Sequence, residues 1–164
     1  MKLGILSDTH NNNNGTLDVL EILKKEGVRE IIHCGDMTSY DTASLFKDFV
    51  IHHVRGNNDF DMLSIGIAVD ECQPGSTSGE LYTGLYDGKL VAALHGHNYG
   101  QYASLIKTGK YAYIFHGHTH RRGADRDGDT VVVNPGAIGG AYRGKRSFCI
   151  LDTITDELTF YDLE

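Results

Sequence analysis

Residues 2–10 have the sequence KLGILSDTH, a short apolar run that ends in an aspartate, a threonine and a histidine. A run of this length, bounded by polar turn residues, predicts a buried strand over Lys2–Ser7. The segment Asn11–Gly15 is rich in asparagine and predicts a turn. Residues 16–26 then carry apolar side chains at helical spacing up to Gly27, which predicts an amphipathic helix.

Strands and helices continue to alternate through the first third of the chain. A second strand is predicted over residues 30–33, a helix over 42–49 and a third strand over 50–55. A strand–helix–strand–helix–strand order predicts a parallel sheet with right-handed crossover connections.

The second half has more strands and fewer helices. Residues 80–86 and 89–94 flank Asp87-Gly88, which predicts a hairpin. A helix is predicted over residues 99–108. Further strands are predicted over 111–115, 130–133, 147–152 and 158–161, the last two joined through Thr155-Asp156. Residues 57–79 have no clear pattern. We therefore expect one α/β domain over residues 1–164, with two mixed sheets and helices outside them.

Composition excludes several classes of protein. The chain has 164 residues, 40% of them hydrophobic, which suits one compact domain and argues against disorder. No apolar run approaches the roughly 20 residues that span a bilayer, and the first strand is too short for a signal peptide. Cys34, Cys72 and Cys149 are odd in number and lack CxxC spacing, which favours a reduced compartment. We expect a cytoplasmic protein without membrane contact.

The net charge of −7 argues against extended nucleic-acid binding, because a duplex-binding protein usually presents a basic face to the phosphates. It does not argue against a small phosphate-ester substrate.

Five polar clusters follow predicted strands. They are Asp8-Thr9-His10, Gly35-Asp36, Gly56-Asn57-Asn58-Asp59, His95-Gly96-His97 and His116-Gly117-His118-Thr119-His120. Sites in open α/β sheets form outside the carboxyl ends of the strands. The clusters should therefore meet at one edge.

Taken singly, most of these clusters are typical of turns or helix caps. Together they predict a metal centre, because alternating histidines in a loop seldom serve packing. Imidazole and carboxylate ligands suit Mn, Ni, Fe, Co or Zn, and we expect Mn first. Seven candidate ligands are too many for one tetrahedral ion and suit a pair of ions about 3.5–4 Å apart.

The motifs Asp8-x-His10, Gly35-Asp36, Gly56-Asn57-x-Asp59, His95-Gly96 and Gly117-His118-x-His120 resemble those of the calcineurin-like metallophosphoesterases. The chain length and Asn134-Pro135-Gly136 resemble the small prokaryotic YfcE-type phosphodiesterases. The resemblance implies a four-layer αββα sandwich, a dinuclear centre that activates a hydroxide against phosphorus, and a homodimer.

The resemblance also implies roles for individual residues. Asp8, His10 and His120 would hold the first metal, and Asp36 would bridge to the second. Asn57, His95 and His118 would complete the second site. Asp59 would orient a neighbouring group in catalysis.

One position departs from the family pattern. Many members have histidine where this chain has Asn58, and asparagine cannot deliver a proton to a leaving alkoxide. We therefore expect a preference for diesters over alkyl monoesters, with Asn58 in the catalytic site as a hydrogen-bond donor.

Several other residues keep two interpretations. His97 could contact substrate or supply the missing proton, or it could be an exposed loop residue. Asn12 and Arg143 could contact the phosphate, or they could belong to a flexible turn and a solvated loop. His116 is more typical of a buried strand end, and His33, His52 and His53 are interpreted as structural.

Two other functions compete with a metal-dependent phosphodiesterase. A catalytically weak metal-binding scaffold of the same fold would be free to lose ligand residues, whereas every ligand position here has a competent side chain. A repair nuclease of the same superfamily would need added domains and a basic surface, and this chain has neither.

Overall fold

The computed structural model describes residues 1–141 and 144–163. In chain order, the elements are β1 (Lys2–Leu6), α1 (Asn13–Lys25), β2 (Glu30–His33), α2 (Tyr40–Ser44), β3 (Val50–Val54), α3 (Met62–Asp70), β4 (Thr77–Gly79), β5 (Tyr82–Tyr86), β6 (Lys89–Ala93), α4 (Tyr99–Lys107), β7 (Tyr113–Phe115), β8 (Gly123–Asp127), β9 (Thr130–Asn134), β10 (Arg146–Asp152) and β11 (Glu157–Leu163).

The strands form two mixed sheets. The first sheet has the order β11-β10-β1-β2-β3-β4, in which β1 to β4 are parallel and β10 runs antiparallel to both β1 and β11. The second has the order β5-β6-β7-β9-β8, in which β6, β7 and β9 are parallel and the two edge strands are antiparallel.

Buried side chains divide the molecule into four layers. One cluster packs α1, α2 and α3 against the first sheet, with Leu23 and Phe46 among its buried members. A second cluster fills the space between the sheets, where Ile5 and Phe115 are both buried. A third cluster joins α4 to the outer face of the second sheet through Ile114. The expected αββα sandwich is therefore confirmed.

Two helices differ from the sequence expectation at their ends. Helix α1 begins at Asn13, because the side chain of Asn12 accepts a hydrogen bond from Gly15 N and caps the helix there. Helix α2 is shorter than residues 42–49 and begins after the cap residue Ser39. Beyond it, the chain continues in tight turns, in which Phe46 N donates to the carbonyl of Ala43.

Two regions without a sequence signal are ordered. The segment 57–79 contains α3 and β4, with Asp61 capping α3 through Ser64 N. Strand β8 was not expected, because four of its five residues are exposed and it has no apolar alternation. It pairs with β9 at the sheet edge, where backbone hydrogen bonds alone define the strand.

Among the described residues, no helix combines the length and apolarity that a membrane crossing requires. Cys34, Cys72 and Cys149 are buried free thiols.

Candidate metal centre

The predicted polar clusters lie directly after β1, β2 and β3 of the first sheet and after β6 and β7 of the second. Parallel strands end at a common edge, so their following loops approach one another. The seven side chains predicted as metal ligands meet there, as two groups of three with Asp36 between them.

The first group contains Asp8, His10 and His120, whose ligand atoms all lie within 4.8 Å of one another. His120 Nε2 is 3.1 Å from Asp8 Oδ1, and His10 Nε2 is 3.7 Å from the same oxygen. The two Nε2 atoms are 3.3 Å apart. Two imidazole nitrogens and a carboxylate oxygen therefore point at one small volume.

The second group contains Asn57, His95 and His118. Asn57 Oδ1 lies 3.0 Å from His95 Nε2 and 3.0 Å from His118 Nδ1. His95 Nδ1 donates to the carbonyl of Cys34 at 2.7 Å, which orients the ring so that Nε2 faces the group. Asn57 and His118 are exposed, so this group opens to solvent.

Asp36 lies between the two groups. Its Oδ2 is 3.4 Å from His10 Nε2 and 3.5 Å from His95 Nε2. Its carboxyl group is nearly inaccessible, with 2% of the residue exposed. One carboxylate thus faces an imidazole from each group.

The charge balance of the cluster suits cations. Burial alone would raise the pKa of Asp8, but the neighbouring imidazoles of His10 and His120 outweigh burial and lower it. Burial also opposes ionisation of Asp36, but His95 and Asn58 keep its pKa below the ordinary value. Asp8 in turn raises the pKa of His10. Both acids are therefore stable as carboxylates, and they favour positive charge beside them.

One buried atom supports the same conclusion. Asp8 Oδ1 is buried and accepts no well-formed hydrogen bond from the described residues, although it faces His10 and His120. A buried carboxylate oxygen without a hydrogen-bond partner is costly, and a cation between these three side chains would satisfy it. The residues present therefore fit divalent metal ions.

The backbone of the cluster is strained. Five of the seven candidate ligands have a positive φ: Asp8 (52°), His10 (42°), Asp36 (57°), His118 (68°) and His120 (59°). Such conformations are uncommon outside glycine and cluster at functional sites. Close packing also requires Gly56 and Gly117, where a Cβ atom would overlap the Asp36 carboxylate and the Ser7 hydroxyl respectively.

Asp59 lies behind the cluster and is 1% exposed. Its carboxylate accepts hydrogen bonds from the backbone N–H of Asp36 at 2.9 Å, of Gly56 at 2.7 Å and of Thr38 at 2.7 Å. His53 Nε2 lies 3.1 Å from Asp59 Oδ2. These contacts hold two site loops together, so they support a positioning role and no contact with substrate.

Asn58 is turned towards Asp36. Its backbone N–H donates to Asp36 Oδ1 and its side-chain Nδ2 donates to Asp36 Oδ2, both at 2.8 Å. The sequence interpretation made Asn58 a donor in the catalytic site. Both of these donors are directed at the carboxylate of Asp36.

His97 is exposed at the mouth of the cluster. Its ring centroid is 5.5 Å from that of His95 and 6.3 Å from that of His118. Partial burial, together with these two histidines, lowers the pKa of His97. His97 is therefore close enough to contact a substrate bound at the cluster.

The two residues predicted to contact phosphate have different outcomes. The side chain of Asn12 caps α1 and donates to the carbonyl of Ile138 at 2.7 Å, so it serves the fold and its contacts do not support a substrate role. Arg143 lies outside the described residues.

The remaining histidines are accounted for by packing. His33 is fully buried, and burial lowers its pKa to about 3. His52 stacks on Tyr82 with ring centroids 4.0 Å apart. His116 is partly buried against Tyr102.

Sequence reasoning missed two supporting residues. Ser7 Oγ donates to Asp8 Oδ2 at 2.6 Å. Asn134, at the end of β9, bonds to the loop that carries His118 and His120. Asn134 stands in the Asn134-Pro135-Gly136 segment quoted above, but the sequence assigned no role to it or to Ser7, because the role of each follows from its contacts in the fold.

The αββα fold, with acids and imidazoles gathered at the strand ends, defines the class of metallophosphoesterases. Residues 1–156 match the model of the calcineurin-like phosphoesterase superfamily domain, and the chain belongs to this superfamily. The family expected from the motifs is therefore confirmed. Membership makes the chain a phosphoric ester hydrolase by family, with divalent metal ions as the implied cofactors.

Three similar proteins place the chain within the family. Phosphodiesterase MJ0936 of Methanocaldococcus jannaschii is 30% identical over 155 residues, which are 93% of each chain. A solved structure of an archaeal phosphodiesterase matches with a TM-score of 0.93 at 30% identity, covering 99% of this chain and 100% of that one. YfcE, a phosphoesterase from E. coli, matches with a TM-score of 0.69 at 18% identity over 100% of both chains, which shows the fold alone.

Proposed function

We propose that this chain is a phosphodiesterase that acts with two divalent metal ions. Asp8, His10 and His120 would hold the first ion, Asn57, His95 and His118 the second, and Asp36 both. The observation that carries the proposal is the position of Asp36 Oδ2, 3.4 Å from His10 Nε2 and 3.5 Å from His95 Nε2. A carboxylate shared between two imidazole-containing groups is the arrangement that a two-metal site needs.

The ions, when bound, would supply Lewis acidity and positive charge for the attack of water on phosphorus. The chain's own residues do the positioning. Asn58 holds both oxygens of Asp36, and Asp59 holds the backbone that carries Asp36. The exposed Asn57 and His118 leave the cluster open to a small phosphate ester. We further propose that the chain acts as one domain, in the cytoplasm, and that two copies can form a homodimer.

The preference for diesters remains part of the proposal. It rests on Asn58, which cannot deliver a proton and whose two observed donors are directed at Asp36. Diesters with acidic leaving groups need little protonation, so they should react fastest.

The direct test is a metal-reconstituted activity panel. Chelator-treated protein is loaded in turn with Mn²⁺, Ni²⁺, Fe²⁺, Co²⁺ or Zn²⁺ and assayed on bis(p-nitrophenyl) phosphate and p-nitrophenyl phosphate. We expect hydrolysis only after metal loading, highest with Mn²⁺ and faster on the diester. Absence of hydrolysis with all five metals would favour the scaffold function over the enzyme.

As the alternative to that preference, we propose that His97 supplies the proton that Asn58 cannot. Its ring lies at the mouth of the cluster, beside His95 and His118. His97→Gln should lower kcat/KM by about 100-fold for methyl phenyl phosphate, since general acid catalysis typically contributes at least this much. The loss should be much smaller for methyl p-nitrophenyl phosphate, because its leaving group is stable without a proton.

The measurement is kcat/KM for both esters, with Gln101→Ala on the exposed face of α4 as the control. An equal loss for both esters would mean that His97 binds substrate and does not protonate the leaving group.

A further inference from the structure

The loop between β7 and β8 that carries His118 and His120 needs an external support. Both histidines have a left-handed backbone, with φ of 68° and 59°. A conformation that is unfavourable for each residue persists only where the surrounding structure holds it. The backbone hydrogen bond from Thr119 N to the carbonyl of Gly117 lies within the loop itself.

Among the described residues, Asp8, His95 and Asn134 each bond to the backbone or the Thr119 side chain of this loop from outside it. His118 N donates to Asp8 Oδ2 at 3.0 Å, and Gly117 N donates to the carbonyl of His95 at 3.0 Å. The third contact is the side-chain amide of Asn134. Its Nδ2 donates to the carbonyl of Gly117 at 3.0 Å and to Thr119 Oγ1 at 2.9 Å. Asp8 and His95 are themselves candidate ligands, whereas Asn134 is not.

The network determines which way the Asn134 amide points. Gly136 N can only donate, and it meets Asn134 Oδ1 at 2.9 Å. The carbonyl of Gly117 can only accept, so it must meet Nδ2. Both N–H donors of the amide are therefore directed at the loop, one before His118 and one between the two histidines.

The base of this support is itself rigid. Asn134 is 3% exposed at the end of β9. The segment after it is tied to β10, because Ser147 Oγ donates to the carbonyl of Pro135 at 2.8 Å and Ser147 N donates to the carbonyl of Ala137. Gly136 has a φ of 88° and packs against Ser147. The position of the Asn134 amide is thus fixed by β9, which ends at Asn134, and by β10, to which the following segment is bonded.

We infer that Asn134 is a positioning residue that presets His118 and His120 for two metal ions at once. This inference rests on the proposed metal centre, since the two histidines would serve different ions. A side chain that orients ligands without binding metal typically contributes 10–100-fold to metal affinity. Loss of the Asn134 donors should therefore weaken both metal sites, whereas loss of either histidine should weaken mainly one.

The principal variant is Asn134→Asp, which keeps the shape and the acceptor for Gly136 but replaces both donors with an oxygen. The probe is Co²⁺, titrated into the metal-free protein and followed by calorimetry and by visible absorption. For Asn134→Asp we expect both binding steps to weaken by about 10–100-fold and the absorption spectrum of the bound Co²⁺ to change. His118→Ala should weaken one step.

A milder variant protects the test against misfolding. Thr119→Val keeps the side-chain shape of an exposed residue and removes one of the two acceptors of Asn134. It should weaken Co²⁺ binding several-fold, and the matched Thr159→Val on the exposed edge of β11 should leave binding unchanged. The melting temperature of each metal-free variant is measured in parallel.

The outcomes separate the two proposals. If Asn134→Asp or Thr119→Val lowers the melting temperature but leaves both Co²⁺ affinities and the spectrum of the folded protein unchanged, Asn134 is merely structural and the inference fails. If the unaltered protein binds no Co²⁺, the proposed metal centre fails, and the inference fails with it.

Discussion

Asp36→Asn should reduce kcat/KM for bis(p-nitrophenyl) phosphate by about 1,000-fold or more, as expected when a group central to a catalytic unit is removed. The substitution keeps the size of the side chain but removes the charge that faces His10 and His95. An asparagine would also turn an amide N–H₂ towards Asn58, which donates to both Asp36 oxygens. Both metal sites should weaken together.

The measurement is steady-state hydrolysis by Mn²⁺-loaded protein, alongside Mn²⁺ binding. Asp41→Asn, the same substitution at an exposed position of α2, is the matched control and should change neither quantity. A folded Asp36→Asn variant with activity close to that of the unaltered protein would rule out the shared carboxylate as the centre of the mechanism.

Asp59→Ala should destabilise the metal-free protein by about 3 kcal/mol or more, because each buried donor left without its acceptor costs about 1–3 kcal/mol. Asp59 is 1% exposed, and its removal leaves His53 and the N–H groups of Asp36, Gly56 and Thr38 without their acceptor. Urea denaturation measures the loss. Asp61→Ala, two residues away and exposed, should cost much less.

The pH dependence of this difference follows from the pKa of Asp59. Burial alone would raise that pKa, but His53 and the backbone N–H groups outweigh burial and hold it well below the ordinary value of 3.8. A lowered pKa in the folded state means that the stabilisation is present above the unfolded pKa and is lost as pH falls through the folded one. The difference in the free energy of unfolding between the unaltered protein and Asp59→Ala should therefore narrow below about pH 4. If this difference in free energy is small at neutral pH, Asp59 does not hold together the loops that follow β2 and β3.

Much of the fold was predictable because buried helices and strands have local patterns of apolar residues in the sequence. The apolar run Lys2–Ser7 corresponds to β1, and the Asp87-Gly88 hairpin joins β5 to β6. Strand β8 could not be predicted, since its side chains are mostly exposed and only its pairing with β9 defines it. Helix α3 could not be predicted from amphipathic spacing, because its apolar residues do not lie on one face.

The candidate site, like the fold, was predictable in part from the sequence. The sequence by itself determined the superfamily and the places of the seven candidate ligands, because each follows a strand and the ends of parallel strands share an edge. It could not determine what Asn12 and Asn58 contact. An asparagine caps a helix, holds a carboxylate or meets a phosphate with the same amide, and only its neighbours in space decide which.

Tertiary structure decided how the candidate metal-ligating side chains, which follow the strands in sequence, are arranged as one site. It placed Asp36 between His10 and His95, and it supported the loop of His118 and His120 with Asn134. Those partners are separated by many residues in the chain, so no local pattern records them. The physical reason is that the type of an element depends on which side chains are buried, whereas the direction of a polar side chain depends on the hydrogen-bond partner that packing brings to it.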